Sequence, residues 1–338
     1  MNDIVQDLVD TVDAVCARHA DPGEGWNPRL WDELERVGVT LLPVPEERGG
    51  AGADLATTAE VLRVLGRHAA AVPLAETALL AGWLLAEAGA DVPSGPLTAA
   101  LAGPDVALRQ DAGGGWTLTG TLPRVPWARH AEGVAVLVDG RAAFVPRGGY
   151  QVDEGANLAG EPRDTVHLRD AAPAQVLVSA ATAQAFRERA ALGRAALMAG
   201  AMETATDLAV RYAGERVQFG RPLARFQAVQ QHLAEMAGET LLATVAAQAA
   251  AAEGTGFAIA AAKAAASEAA GTVCRLAHQV HGAIGFTDEH GLRHATTRLW
   301  AWRDECGNEA EWGEVLGARA VDAGTGGLWP LITAGGDL

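Results

Sequence analysis

Apolar residues recur every three or four positions at Ile4, Leu8, Val12 and Val15, which predicts an amphipathic helix ending near His19. A polar loop, DPGEGWNP, follows. Asn27-Pro28 then supplies a cap and a first turn for RLWDELERVG, which Gly38 terminates. LLPVPEERGGAGADL cannot hold regular structure, because Pro43, Pro45 and the Gly49–Gly52 cluster interrupt it. Two more helical patterns run from Leu55 to His68 and from Pro73 to Ala88. Residues 1–95 therefore read as an all-helical domain.

The period changes near Leu97. GWTLTGTLPRVPWA, EGVAVLVDGRAAFVPRGGYQV and DTVHLRDAAPAQVLV are short β-branched runs separated by Gly-rich turns, and Val134–Val138, Asp139-Gly140 and Arg141–Val145 read as a hairpin. A small β-barrel or sandwich over residues 96–179 is the expectation. From Ala180 the helical period returns in Ala183–Ala213, Phe226–Glu253 and Ile259–His281, with breaks expected at Gly254 and Gly256. Ala-rich faces let such helices approach closely, as in a four-helix bundle over residues 180–338. The fold class is α+β, mainly α.

Composition narrows the functions. Of 338 residues, 49% are hydrophobic but only 5% aromatic, which favours close-packed helices. A net charge of −16 argues against nucleic acid, whose phosphates would be repelled. Cys16, Cys274 and Cys306 are too scattered for a disulfide framework or a structural zinc site and fit a reducing cytoplasm. The N-terminal MNDIVQDLVDTVDAV is acidic and amphipathic, unlike a signal or transit peptide. The Ala-rich run 257–266 is short and carries Lys263, so no membrane span is expected. His278, His281, His290 and His294 lack a carboxylate–histidine pattern, so no metal is expected.

Candidate chemistry concentrates at Arg211–Glu239, RYAGERVQFGRPLARFQAVQQHLAEMAGE. Gly220 and Pro222 stop the preceding helix, and a new apolar period begins at Phe226, Val229, Leu233 and Met236. The corner brings together Arg216 for a phosphate, Gln218 for a heterocycle edge and Phe219 for a planar face. R-x-Q-F-G-x-P-L-x-x-F-Q-x-V-Q-x-x-L-A-x-M resembles the flavin-binding turn of the acyl-CoA dehydrogenase family. The V-P-E-E-x-G-G-x-G connector and L-G-R-x-x-A-x-V-P resemble its N-terminal domain, and the likeness extends over residues 25–300.

The resemblance implies FAD as cofactor, an acyl-CoA substrate, and cofactor contacts from Arg216, Gln218, Phe219, Leu223, Phe226 and Val229. A second element, Gln279-Val280-His281-Gly282-Ala283-Ile284-Gly285-Phe286, matches the family's Q-x-x-G-G-x-G-F. In the family that segment approaches the flavin's adenine and pyrophosphate end from a neighbouring subunit, which implicates Gln279, Val280, Gly282 and Ala283. Ala283 stands where the second glycine is usual.

Two departures set the functional expectation. The middle domain lacks the T-E-P-x-x-G-S-D-like loop, for which ALAGPDVALRQD is the nearest counterpart. Dehydrogenation also needs a carboxylate to take the α-proton. Relatives place it in a Y-E-G-T segment, aligned here with Glu305-Cys306-Gly307-Asn308, so the base position falls on Cys306 and Asn308 replaces the Thr. The minority position falls on Ala190, and Glu188 two residues earlier faces another way. Glu305 is the remaining candidate base.

G-F-T-x-E-H-x-L-R-H further resembles the short subunits of actinobacterial α2β2 acyl-CoA dehydrogenases, including steroid side-chain enzymes. The reading is a half-site subunit partnered by a longer chain that carries the glutamate. The alternatives are a self-sufficient homo-oligomer using Glu305, a CoA-binding scaffold, and a flavin monooxygenase of the same fold. Trp300, Trp302 and Trp312 are expected in the core or an interface, and AGTGGLWPLITAGGDL as a loose tail.

Overall fold

The helix caps read from sequence are built as side-chain hydrogen bonds. Asn27 Oδ1 accepts from Leu30 N at 3.0 Å, Pro28 opens α2 (Pro28–Val37), and Gly38 closes it at φ +85°. In sequence, α1 (Asp3–His19) precedes it and α3 (Leu55–Arg67) follows. The 73–88 pattern is helical but not uniformly α. A π-helical stretch, Glu76–Gly82, runs into α4 (Trp83–Glu87). Thr77 Oγ1 both accepts from Leu97 N and donates to Leu97 O, each at 2.9 Å, and so ties that stretch to the first strand.

The computed structural model describes residues 3–23, 25–287 and 289–333. They form two compact units, one of residues 18–54 and 71–190, the other of 1–17, 55–70 and 191–338.

The first unit contains β1 (Leu97–Leu101), β2 (Ala107–Gln110), β3 (Trp116–Pro126), β4 (Gly133–Val138), β5 (Arg141–Pro146), β6 (Gln151–Asp153), β7 (Arg163–Ala171) and β8 (Gln175–Val178). They make two four-stranded sheets ordered β1-β4-β5-β8 and β2-β3-β7-β6, antiparallel except for β1 beside β4. The expected hairpin is β4–β5, turning at Asp139 (φ +48°) and Gly140 (φ +69°). β4 reads GVAVLV without polar alternation because both of its faces are covered. Val134, Val136 and Val138 cluster with Leu118, Leu122 and Val166, while Ala135 and Leu137 cluster with Leu80, Trp83 and Leu84. ALAGPDVALRQD is no simple loop: it supplies the end of β1 and all of β2.

The second unit holds the long helices α5 (Ala183–Glu215, from residue 191 on), α6 (Gln227–Glu253), α7 (Gly256–His281), α8 (Leu292–Asp304) and α9 (Glu309–Thr333). Ala195, Ala199, Ala205, Ala209 and Ala213 on α5 are wholly buried. α3 and α5 meet backbone to backbone: a methyl on Gly200 would lie 1.9 Å from the Arg63 carbonyl oxygen, and one on Gly66 2.0 Å from that of Leu197. Arg63 pairs with Glu60 and with Glu203 (2.9 and 2.8 Å). α6 joins the group through Gln248 Nε2 donating to Glu60 at 2.8 Å.

Two expectations are corrected here. Gly254 ends α6 at φ +69°, but Gly256 begins α7 because Thr255 Oγ1 caps it, accepting from Ala258 N at 3.2 Å. The tail is helical to Thr333, with a kink at Gly324 (φ +66°, ψ −177°), and Leu331 is buried. Residues 334–338 lie outside the described residues.

Candidate functional site

α5 ends where the corner motif begins, and the corner is a tight hairpin. β9 (Val217–Gln218) pairs with β10 (Arg221–Pro222) around Phe219 (φ +51°) and Gly220 (φ +78°). Both central residues are left-handed, the geometry that matches the twist of a two-residue hairpin and that glycine adopts freely. Arg216 is fixed by its backbone: its N–H donates to the Tyr212 carbonyl and its carbonyl accepts from Leu223 N, both at 2.9 Å. The Gln218 amide oxygen, turned to the Arg216 guanidinium, accepts from Nε at 3.2 Å and Nη2 at 2.8 Å. The amide oxygen thus holds the guanidinium in place. Phe219 is 91% exposed at the tip. Phe226 meets it edge to face at 6.2 Å and carries the Arg221 guanidinium over its ring at 4.2 Å. Leu223 and Val229 are half-buried behind the tip.

The second element adjoins the first. Tyr212, one helical turn before Arg216, stacks on His281 at 4.7 Å, and His290 closes on His281 at 4.6 Å. The ends of α5 and α7 therefore present both motifs together. Gln279 is exposed and lines a groove of about 400 Å³ with Arg275, His278, Gly282, Phe286 and Trp300. Gly282 adopts φ +63°, ψ −142° with open space where a side chain would stand, so its backbone can approach a ligand closely. Ala283 is exposed. Val280 is buried, which leaves only its backbone for a ligand. Burial holds His278 and His281 below the usual imidazole range, and His281 Nδ1–H donates to the Ala277 carbonyl at 2.7 Å. A guanidinium paired with an amide, an exposed ring, and an open glycine beside a groove are donors and surfaces that fit the adenine-pyrophosphate half of a flavin.

The loop expected to hold the base is packed tightly. Arg194 on α5 donates through Nε to Glu305 Oε2 at 2.8 Å, and the side chains are 6% and 12% exposed. Cys306 is exposed with φ +59°, and its carbonyl accepts from Trp312 Nε1 at 2.9 Å. Asn308 spends its side-chain oxygen on α9, accepting from Ala310 N and Glu311 N at 3.0 and 3.1 Å. Lys263, wholly buried, donates to Ser267 Oγ (2.8 Å), Arg303 O (2.8 Å) and Gly307 O (2.6 Å). Ala190 packs its methyl on the Leu80–Trp83–Phe186 core, and Glu188 accepts from Gln184 at 2.8 Å. Trp302 and Trp312 are buried as expected, whereas Trp300 is 37% exposed on the groove.

The sequence did not single out Arg194 or the Tyr212–His281 stack. It gave Lys263 only as a charge interrupting an apolar run. Among the described residues no three His, Cys, Asp or Glu side chains converge as a metal site, and no helix is long and apolar enough to cross a membrane.

A long-helix bundle, a double-sheet unit and a grip for an anion and a ring at a helix end are the features expected of the acyl-CoA dehydrogenase family. Comparison with known proteins gives the family. Residues 1–92 match the acyl-CoA dehydrogenase N-terminal domain and residues 180–303 the acyl-CoA dehydrogenase C-terminal domain. The acyl-CoA dehydrogenase IpdE2 of Mycolicibacterium smegmatis is 30% identical over 302 residues, covering 85% of this chain and 89% of that one. A variant of the Tcur3481–Tcur3483 steroid ACAD superposes with TM-score 0.81 at 27% identity, over 95% of this chain and 98% of that one. The Mycobacterium tuberculosis ChsE4–ChsE5 complex shares the fold at TM-score 0.84 and 24% identity, over 95% and 98% of the chains. This chain belongs to the acyl-CoA dehydrogenase family.

Proposed function

We propose that this chain is a half-site subunit of a hetero-oligomeric acyl-CoA dehydrogenase, serving the α,β-dehydrogenation of an acyl-CoA thioester. One contrast carries the reading. The grip is complete and turned outward, with Phe219 91% exposed beside the Arg216–Gln218 pair, while the base position offers Cys306 and an ion-paired Glu305. A bound flavin supplies the hydride-accepting chemistry. Arg216 holds a pyrophosphate through its planar fork, Gln218 fixes that fork, and the Gln279 and Gly282 backbone borders the adenine side. The carboxylate that takes the α-proton then comes from a longer partner chain.

The self-sufficient alternative needs Glu305 as a free base, and its engagement by a buried guanidinium weighs against that. A protonatable carboxylate beside a fixed cation is a weakened base. Exposed apolar residues on α6, Leu241 (64%), Leu242 (54%) and Val245 (51%), give a partner chain a surface to cover. One relative of this fold is described as a ChsE4–ChsE5 complex, and another as a steroid ACAD. These make an α2β2 assembly the first to test and a steroid-derived acyl-CoA the first substrate to assay.

The test is to purify the chain alone and together with the product of its genomic neighbour, reading flavin stoichiometry from the visible spectrum. The expected result is flavin and acyl-CoA oxidation only in the pair. Full FAD content and turnover by the lone chain would overturn the proposal.

A further inference from the structure

The loop 304–308 is held by side chains from outside it. Lys263 staples its ends by donating to Arg303 O and Gly307 O. Trp312 holds the Cys306 carbonyl from α9, and Arg303 pairs with Glu309 behind the loop. Cys306 adopts φ +59°, a left-handed conformation that a residue with a β-carbon keeps only when its surroundings impose it. Arg194 completes the arrangement from α5, with its Nε 2.8 Å from Glu305 Oε2 and both side chains nearly excluded from solvent.

The position of Arg194 gives this pair its meaning. It stands four residues after Ala190 on one continuous helix, and residues at i and i+4 share a face. The guanidinium crosses from α5 to the loop. It ends on the immediate neighbour of Cys306, the other base position. The carboxylate beside that position is the one this ion pair engages.

We propose that Arg194 is a positioning residue that locks the 304–308 loop onto α5, with Glu305 as its fixed counter-ion, so that Glu305 serves as an ion-pair partner and not as this chain's base. Only the consequence, that the α-proton is removed on another chain, rests on the half-site reading. Removing one partner of a buried pair costs more than replacing both by apolar side chains.

The experiment is amide hydrogen exchange on the complex co-purified with its neighbour, for wild type, Arg194→Leu, Glu305→Gln, Arg194→Lys and the double variant Arg194→Leu/Glu305→Leu. Each of the first two single variants is expected to speed exchange across 304–309 at least tenfold while the middle of α7 stays as protected as in wild type. Arg194→Lys keeps the charge and is expected to restore part of the protection. The double variant is expected to melt above either charge-deleted single variant. Unchanged exchange at 304–309 in both charge-deleted singles overturns the lock. So does a Glu305→Gln complex that keeps wild-type exchange and melting but loses turnover, because Glu305 would then be a base. Should Arg194→Leu fail to fold, Arg194→Lys and Glu305→Gln decide by the same readout. A lone chain that binds full flavin and turns over would sink the half-site reading yet leave the exchange result standing.

Discussion

Lys263 is the only lysine of this chain, and it is wholly buried. Its ammonium has three N–H donors and meets three acceptors, Ser267 Oγ and the carbonyls of Arg303 and Gly307. Burial nevertheless dominates and pushes its pKa from 10.5 down to about 8. Cys306, Glu305 and Glu309 oppose the shift, and Arg194 adds to it. Burial thus makes the charged form less favourable in the folded chain than in the unfolded one. Below about pH 8 the ammonium is present in both states, and folding bears the whole penalty. As pH rises from about 8 towards 10.5, the folded state loses its proton first, so the unfolded state binds more protons and stability increases.

A shift from 10.5 to about 8 corresponds to about 3 kcal/mol over the whole window, of which about 2 kcal/mol falls between about pH 7 and 9.5. Lys263→Met removes the titrating group and leaves the Arg303 and Gly307 carbonyls without their donor, at about 1–3 kcal/mol for each buried group. The assay is urea unfolding of wild type and variant at several pH values across that range. The wild-type advantage is expected to grow by about 2 kcal/mol from the lowest pH to the highest. A single labelled lysine side-chain NMR signal follows the same titration directly, because no second lysine overlaps it. A stability difference that is flat or shrinks with pH, or a signal that titrates near the ordinary lysine value, would refute the reasoning.

Three further outcomes follow from the geometry. Gly200→Ala places a methyl 1.9 Å from the Arg63 carbonyl oxygen and is expected to lower the melting temperature severely, since an overpacked helix crossing loses roughly 1–3 kcal/mol or more. Ala substitution at Gly238, which has open space around it, is the matched control and should be neutral or slightly stabilising. Asn308→Ala removes the cap of α9 and is expected to cost about 1 kcal/mol, read by urea unfolding. Phe219→Ala should leave the melting of the lone chain unchanged because the ring is 91% exposed, yet reduce flavin retention in the co-purified complex.

What could be read from the chain depended on whether local chemistry or distant packing set each feature. The corner was legible because a two-residue hairpin after a helix demands left-handed backbone, and Gly220 followed by Pro222 writes that demand into the sequence. Asn27 and Gly38 were legible for the same reason. GVAVLV was legible as one arm of a hairpin, but the covering of both its faces was not, because distant elements supply it. The π-helical stretch was not legible, since ETALLAG has the spacing of an ordinary helix and its Thr77–Leu97 tie is tertiary. The tail misled because Gly324, Gly326 and Gly327 suggested looseness, whereas only Gly324 departs from helical geometry. Buried charges were the largest blind spot. Arg194 and Lys263 each sit alone among alanines and leucines, a pattern equally compatible with a side chain that reaches solvent.

That blind spot explains why the cofactor motif and the catalytic motif part company on one helix. Arg194 and Arg216 both belong to the α5 segment and its exit, 22 residues apart in sequence. At the rise of an α-helix that separation is about 33 Å, too far for one small ligand group to engage both. The far end is shaped by the requirements of a turn, an outward guanidinium and the Tyr212–His281 stack. The near end is shaped by what packs on the 304–308 loop. Changes at one end therefore leave the other free to persist. On the proposed reading a flavin grip persists in a chain whose expected base position holds Cys306 beside the Arg194–Glu305 ion pair, and a variant at either end should alter flavin retention or loop exchange, but not both.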